Sequence, residues 1–303
     1  MRNSPWTIRT ALEWTLEQLE SEGVSDPRLS ALWLLGAATG LSRQELYTDY
    51  DLPLTESQLS SLHEGVRRRI AKEPLQYILG KAPFRHLELI VRRGVLIPRP
   101  ETEILVERLI LSLKGMGALG DSGSLNNARV LDICTGSGCV ALSLLQECPG
   151  LQLIATDIDP QAVLLARENA EMLGFADDGR LQIIEDDLAG SLVADPDKWG
   201  YFDALVSNPP YVPTEELANL PEEIAGYEPL AALDGGSDGL EVFRRIVKQA
   251  KLLLKPHGLL VCELFETRLE EAREYCLQEG FVNVSIHEDL NNRLRIIIAH
   301  NHG

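Results

Sequence analysis

The chain has 303 residues, 45% hydrophobic and 24% charged, a composition typical of a globular protein long enough for about two domains. Its 28 basic against 46 acidic side chains leave a net charge of −18, which argues against a direct nucleic-acid substrate and for a small molecule or a basic protein partner. No apolar run reaches the roughly 18 residues of a membrane span, the opening "MRNSPWTIRTALEWTLEQLE" lacks the apolar stretch of a signal peptide, and a cytoplasmic protein without membrane attachment is expected. The five cysteines (Cys134, Cys139, Cys148, Cys262, Cys276) include no C-x-x-C pair, and no paired histidines accompany them. Reduced thiols are expected, with neither disulfides nor a metal site.

Along the chain, Trp6, Ile8, Leu12, Leu16 and Leu19 fall at helical spacing over 6–22. "SDPRLSALWLLGAATG" predicts a second helix, capped near Ser25 or Asp26 and stopped by Gly40. "SRQELYTDY" predicts a short third, and "TESQLSSLHEGVRRRIAKE" a fourth that opens on the capping-box pair Thr55 and Gln58. Residues 1–75 therefore predict a helical domain, with the lone His63 a structural or exposed side chain. From 76 to 100, short β-branched runs broken by glycine and basic residues predict a hairpin linker. The basic stretches 67–72 and 85–94 read as solvated faces of that helix and hairpin. Pro98 and Pro100 stiffen the approach to a helix over "ETEILVERLILSL", and the Gly/Ser/Asn-rich stretch 114–128 reads as a mobile surface loop.

Beyond residue 128, apolar strands alternate with helices: "ARVLDIC", "LQLIATDID", "LQIIEDD", "FDALVSNPP" and "GLLVCEL" are strands, and "VNVSIHE" and "RLRIIIAH" close the chain. That alternation predicts an α/β domain over 101–303, built on a mostly parallel, doubly wound sheet.

Ligands of such sheets bind at the carboxyl ends of the strands. The first strand ends in "LDICTGSGC", bringing Asp132, Cys134, Thr135, Gly136, Ser137 and Gly138 to a sharp strand-to-helix turn whose backbone N–H groups face a ligand. The next strand ends in Asp157, 19 residues past Gly138, where an acid accepts hydrogen bonds from ribose hydroxyls. The turn lacks the full G-x-G-x-x-G pattern, and Asp132 on its approach would repel a pyrophosphate while orienting a cationic methionine end. S-adenosylmethionine is therefore the expected cofactor. In "EDDLAG", Asp187 and Leu188 are placed to meet the adenine by hydrogen bond and apolar contact, whereas Asp186 reads as an ordinary acidic turn.

The fourth strand stops at Asn208, Pro209, Pro210 and Tyr211. Prolines end ladder pairing and hold an extended arc. That arc exposes two acceptors, the Asn208 side-chain oxygen and the Pro209 carbonyl, beside the flat face of Tyr211. Such a clamp suits a planar –NH2 group on an sp² carbon, a poor nucleophile that is activated by positioning and preorganised dipoles. Asn-Pro-Pro-Tyr in this setting also resembles methyltransferases of the exocyclic amine of adenine in DNA, which need a positive surface.

Over nearly its whole length the chain resembles the HemK/PrmC family, protein-(glutamine-N5) methyltransferases of peptide chain release factors. The resemblance rests on "EPLQYILG", "VLIPRPETEILVE", "LDICTGSGC", "ATDIDPQAVLLARENA", "DALVSNPPYV", "YEPLAALDGGSDGL" and "EDLNNRLR". It implies a Rossmann-like class I methyltransferase domain behind a helical docking domain, and methylation of the glutamine of a Gly-Gly-Gln tripeptide in bacterial release factors by a monomeric enzyme. By position, Cys134 to Gly138 would wrap the methionine end, Asp157 hold the ribose, Leu188 cover the adenine, and Asn208 to Tyr211 hold the substrate glutamine. Cys134 stands where the release-factor branch commonly has glycine, and C-T-G-S-G-C is similar also to a sister branch acting on a large-subunit ribosomal protein; the "PRPETE" stretch favours the former. Cys134 is expected to pack rather than act as a nucleophile. A non-catalytic adaptor is the reading from another class, and intact Asp157 and Asn208 argue against it.

Overall fold

The computed structural model describes residues 6–116 and 127–303, so most of the 114–128 stretch lies outside the described residues. The chain forms two compact units, Met1–Lys81 together with Pro221–Tyr227, and Ala82–Leu220 together with Glu228–Gly303. The helical unit thus runs past residue 75 and takes in a segment whose sequence gave no sign of belonging there.

In the first unit, α1 (Ile8–Ser21), α2 (Pro27–Thr39), α3 (Arg43–Thr48) and α4 (Glu56–Ile70) pack around Ile8, Leu19, Leu32, Leu35, Leu46, Leu62 and Val66. Each such buried aliphatic side chain contributes roughly 1.5–3 kcal/mol. Thr7, Ser42 and Thr55 close capping boxes on α1, α3 and α4, satisfying N–H groups that the first helical turn leaves unpaired. Asp26 precedes α2 in the left-handed region and makes no side-chain cap. The exposed His63 stacks edge-on against Trp14, ring centroids 4.7 Å apart.

Two expectations are corrected in this unit. "LQYIL" forms a short helix, α5 (Leu75–Leu79), instead of a strand. Pro74 starts it and Gly80, at φ +72°, stops it, so start and stop signals outweigh a single β-branched residue. Nor is the 67–72 stretch simply a solvated face. Arg69 is 3% exposed and donates to Glu223 Oε1 (2.9 Å), Ser25 Oγ (3.1 Å) and the Glu73 carbonyl (3.0 Å), fastening 221–227 to α4.

In the second unit a hairpin, β1 (Lys81–Phe84) and β2 (Leu87–Ile90), leads through an extended strap to α6 (Pro100–Gly115). Then come β3 (Arg129–Ile133), α7 (Cys139–Glu147), β4 (Gln152–Asp157), α8 (Pro160–Met172), β5 (Leu181–Glu185), β6 (Phe202–Ser207), β7 (Leu254–Glu263), β8 (Phe281–Glu288) and β9 (Leu294–Asn301). The seven-stranded sheet has the order β5-β4-β3-β6-β7-β9-β8, parallel except for β9, which pairs antiparallel with both neighbours. Side chains alternate between faces: Val130, Leu153, Val206 and Val261 pack with α6 and α7, while Leu131, Ile133, Leu205 and Leu260 pack with Phe243, Ile246 and Val247 of the helix Glu241–Leu253. Arg85, expected in solvent, is held by Glu147 at 2.5 and 2.6 Å.

The chain enters the sheet at β3, runs outward to β4 and β5, and returns at β6 on the other side of β3. The switch point therefore lies between β3 and β6, where neighbouring crossovers leave in opposite directions and open a crevice at the carboxyl edge.

Candidate functional site

Both motif turns emerge at this switch point. Ser207, the last residue of β6, donates from Oγ to the Ile133 carbonyl at 2.6 Å, tying the ends of β6 and β3 together just before Asn208 and Cys134. After β3 the backbone turns through left-handed conformations at Cys134 (φ +61°), Gly136 (+56°) and Gly138 (+82°). A Cβ on Gly138 would lie 3.2 Å from the Ala166 Cβ and 3.1 Å from Leu142 Cδ1, so that glycine also allows α7 to approach α8. Cys134 tolerates a conformation that favours glycine, and burial pushes its thiol well above the ordinary range. The Cys139 thiol is pushed up to about 12 for the same reason, so neither is poised as a nucleophile.

The acids hold this loop. Asp157 accepts the Gly136 N–H on Oδ2 (2.8 Å) and the Asp159 N–H on Oδ1 (3.0 Å). A carboxylate offers about four acceptor sites, which leaves lone pairs for ligand hydroxyls. Burial raises its pKa. Asp132, 1% exposed, lies beneath the loop and takes the Thr135 hydroxyl at 2.7 Å; burial pushes its carboxyl up to about 7. Asn169, fully buried, donates to the Ser137 and Ile90 carbonyls (2.9 and 3.1 Å) and accepts the Ile90 N–H (2.7 Å), joining loop to hairpin.

A cavity of about 810 Å³, open mouth included, runs along these elements. Its wall gathers Cys134, Thr135, Gly136, Ser137 and Asp157, together with Asn208 and Pro210 and the strap Gly94 to Arg99. Arg99, the cation among the described wall residues, is matched by Glu228 at 2.5 Å. The remaining charges in the wall, Asp157 and Asp159, make the cavity electronegative. Largely apolar, nucleoside-sized and acidic, it fits a cationic nucleoside cofactor better than a pyrophosphate.

Several expected residues stand elsewhere. Asn208 and Pro210 line this cavity, while Asp132, Gly138, Pro209 and Tyr211 adjoin it without being part of its lining. Asp187 is exposed and paired with Arg245 at 2.7 Å, and Leu188 is buried with φ +58°, its carbonyl accepting from Thr156 Oγ1 at 2.5 Å; neither lines the cavity. In the short loop after β5, Asp186 accepts the Ser191 N–H and hydroxyl on Oδ2 at 2.9 and 2.6 Å. The apolar residue that does reach the cavity near Asp157 is Ile158, 64% exposed. Its signal in the sequence is an isoleucine set between two aspartates just past a strand, where an apolar side chain has no core to enter.

At Asn208 the side chain donates from Nδ2 to Thr102 Oγ1 (3.0 Å). The Thr102 hydroxyl in turn donates to Glu263 Oε2 (2.7 Å), and the Tyr211 hydroxyl to Glu263 Oε1 (3.0 Å). Thr102 lies on α6 and Glu263 ends β7, so the sequence separates them widely; no short-range pattern marks the pair.

Fold and cleft together define a class I methyltransferase domain of Rossmann-like α/β architecture. The hMettl16 catalytic domain, solved in complex with the MAT2A 3′UTR hairpin 6, shares the fold at TM-score 0.54 and 17% identity, with 82% of each chain covered. Family models described as PrmC N-terminal domain and Methyltransferase small domain match residues 10–80 and 116–224. A release factor glutamine methyltransferase of Geobacter sulfurreducens is 40% identical over 96% of both chains, and one of Chlorobaculum tepidum is 37% identical over 94% of both. The chain belongs to the release factor glutamine methyltransferase family.

Proposed function

We propose that the protein methylates the side-chain amide nitrogen of the glutamine in the Gly-Gly-Gln tripeptide of bacterial peptide chain release factors, with S-adenosylmethionine as donor. One observation carries the reading of the site: Asn208 stands in the cavity wall with Nδ2 spent on Thr102, which leaves Oδ1 for a ligand N–H.

Of the cavity residues, Cys134 to Gly138 would enclose the methionine end of the cofactor, Asp157 would accept the ribose hydroxyls, and Ile158 would cover the base. When bound, that cofactor supplies an electrophilic methyl group on a positively charged sulfur. Asn208 Oδ1 and the Pro209 carbonyl accept the two N–H bonds of the substrate amide and hold its nitrogen in line. Positive charge growing on that nitrogen strengthens both hydrogen bonds, so the acceptors favour the transition state over the ground state. No side chain need act as a strong base, since the surplus proton becomes acidic once the nitrogen is alkylated.

Incubating the protein with purified release factor and S-adenosylmethionine, followed by peptide mass mapping, tests the reading. A single added methyl on the Gly-Gly-Gln glutamine is expected. Methylation of a ribosomal-protein glutamine with none on the release factor would overturn the substrate assignment.

A further inference from the structure

The proposed clamp works only if the Asn208 amide presents its oxygen, and an amide has two nearly isosteric ends. We infer that Glu263 is the positioning residue of this site, setting the Asn208 amide through Thr102 and anchoring Tyr211 directly. This inference rests on the glutamine-amide reading given above.

The argument is a count of protons. Glu263 is 1% exposed at the end of β7, with both oxygens used: Oε2 by Thr102 Oγ1 at 2.7 Å and Oε1 by the Tyr211 hydroxyl at 3.0 Å. In its ionised form this carboxylate only accepts, so both hydroxyls must point their protons at it. Thr102 has one hydroxyl proton. Once that proton is committed to Glu263, Oγ1 can only accept from Asn208, 3.0 Å away. The amide must therefore turn Nδ2 inward and Oδ1 towards the cavity; the opposite orientation would set two oxygen lone pairs against each other. One buried carboxylate thus fixes both ends of the Asn-Pro-Pro-Tyr turn.

Glu263→Gln keeps the shape and changes the count. If the new amide turns its nitrogen to Thr102, the threonine proton is released to Asn208 Oδ1, and the Asn208 NH2 faces the substrate. If it turns its nitrogen to Tyr211, the phenol loses its acceptor. Either way one end of the turn is reversed or released while the packing survives.

Two readouts test this on the full chain. Nuclear Overhauser contacts from the Thr102 methyl to the Asn208 Nδ2 protons report the orientation without any substrate; they are expected in the parent and in Thr102→Ser through its β-protons, and in Glu263→Gln they are lost where the new amide turns its nitrogen to Thr102 and kept, with the Tyr211 ring released, where it turns to the phenol. Steady-state methylation of release factor, with cofactor Kd by calorimetry, reports the consequence. Glu263→Gln and Thr102→Val should lower kcat by about 10²-fold, the scale of one lost preorganised hydrogen-bonding group, with cofactor Kd unchanged and Thr102→Ser restoring most of the rate. Absence of the contacts in the parent, or equal rate loss in Thr102→Ser and Thr102→Val, would overturn the inference. Contacts as expected in a parent that methylates no release factor would uphold the positioning and sink the substrate assignment instead.

Discussion

Gly235 backs the Asn-Pro-Pro-Tyr turn, and adding one methyl group there has a consequence that the geometry allows to be worked out. Gly235 donates its N–H to the Val212 carbonyl (2.8 Å), and its own carbonyl accepts from Glu241 N (3.0 Å), so it is fixed to the strand-like segment that continues from Tyr211. A Cβ at Gly235 would lie 2.7 Å from Tyr211 Cα, 2.8 Å from the Tyr211 carbonyl carbon and 2.8 Å from the Gly239 oxygen. Ordinary contact begins near 3.4 Å, leaving a shortfall of about 0.7 Å against backbone that cannot swing aside as a side chain would. Overpacking of this kind costs roughly 1–3 kcal/mol, and part of the strain is expected to be relieved by shifting Tyr211. A displacement of about 1 Å at a reacting group costs on the order of 10²-fold in rate, so Gly235→Ala should lower kcat by roughly 30- to 100-fold. Cofactor affinity should change little, because the Gly-rich loop and Asp157 lie on other elements. The assay pairs initial-rate methylation with calorimetric cofactor binding and a thermal melt. Parent-like kcat at a parent-like Tm would refute the claim that this glycine holds the clamp in place.

Three further outcomes are expected. Asn208→Ala should cost about 3–4 kcal/mol of barrier by analogy with other preorganised groups, with cofactor affinity nearly intact; equal loss of both would contradict its assignment to the substrate. Asp157→Ala should weaken cofactor binding first, because it removes the carboxylate that positions Gly136 and, in the proposed reading, would offer lone pairs to the ribose; unchanged affinity by calorimetry would remove Asp157 from the cofactor site. Folding raises the Asp132 carboxyl from 3.8 to about 7, so the folded chain holds that proton more tightly than the unfolded chain. The associated stability is complete below about pH 4 and is lost as pH climbs to about 7, an effect of at most about 4 kcal/mol. Asp132→Asn should flatten the decline in urea-unfolding stability over that window and exceed the parent near pH 8; an unaltered slope would refute the shift. Some decline is expected to remain, since burial raises Asp157 and Glu263 in the same direction.

The alternation of strands and helices, the Gly-rich turn, Asp157 and the Asn-Pro-Pro-Tyr turn were legible because each is local. A strand end, a glycine required by positive φ, or a proline that stops a ladder leaves its mark within a few residues. At Asp187 and Leu188 the local pattern shows only a strand end, and nothing near them in sequence shows that Asp187 pairs with Arg245, 58 residues away, or that Leu188 packs into the core. The basic stretches were misjudged for a related reason: the partners of Arg69 and Arg85, Glu223 and Glu147, lie 154 and 62 residues away.

The sequence alone determined the order of elements, the alternation of strands with helices and the chemical types at the two turns, because periodicity and backbone chemistry act over short range. Only the tertiary structure brought Thr102 from α6 and Glu263 from β7 to Asn208 and Tyr211. Hydrogen bonds between residues so distant in sequence depend on which strands become neighbours in the sheet. That choice is made by packing the whole core and is written at no single position in the chain.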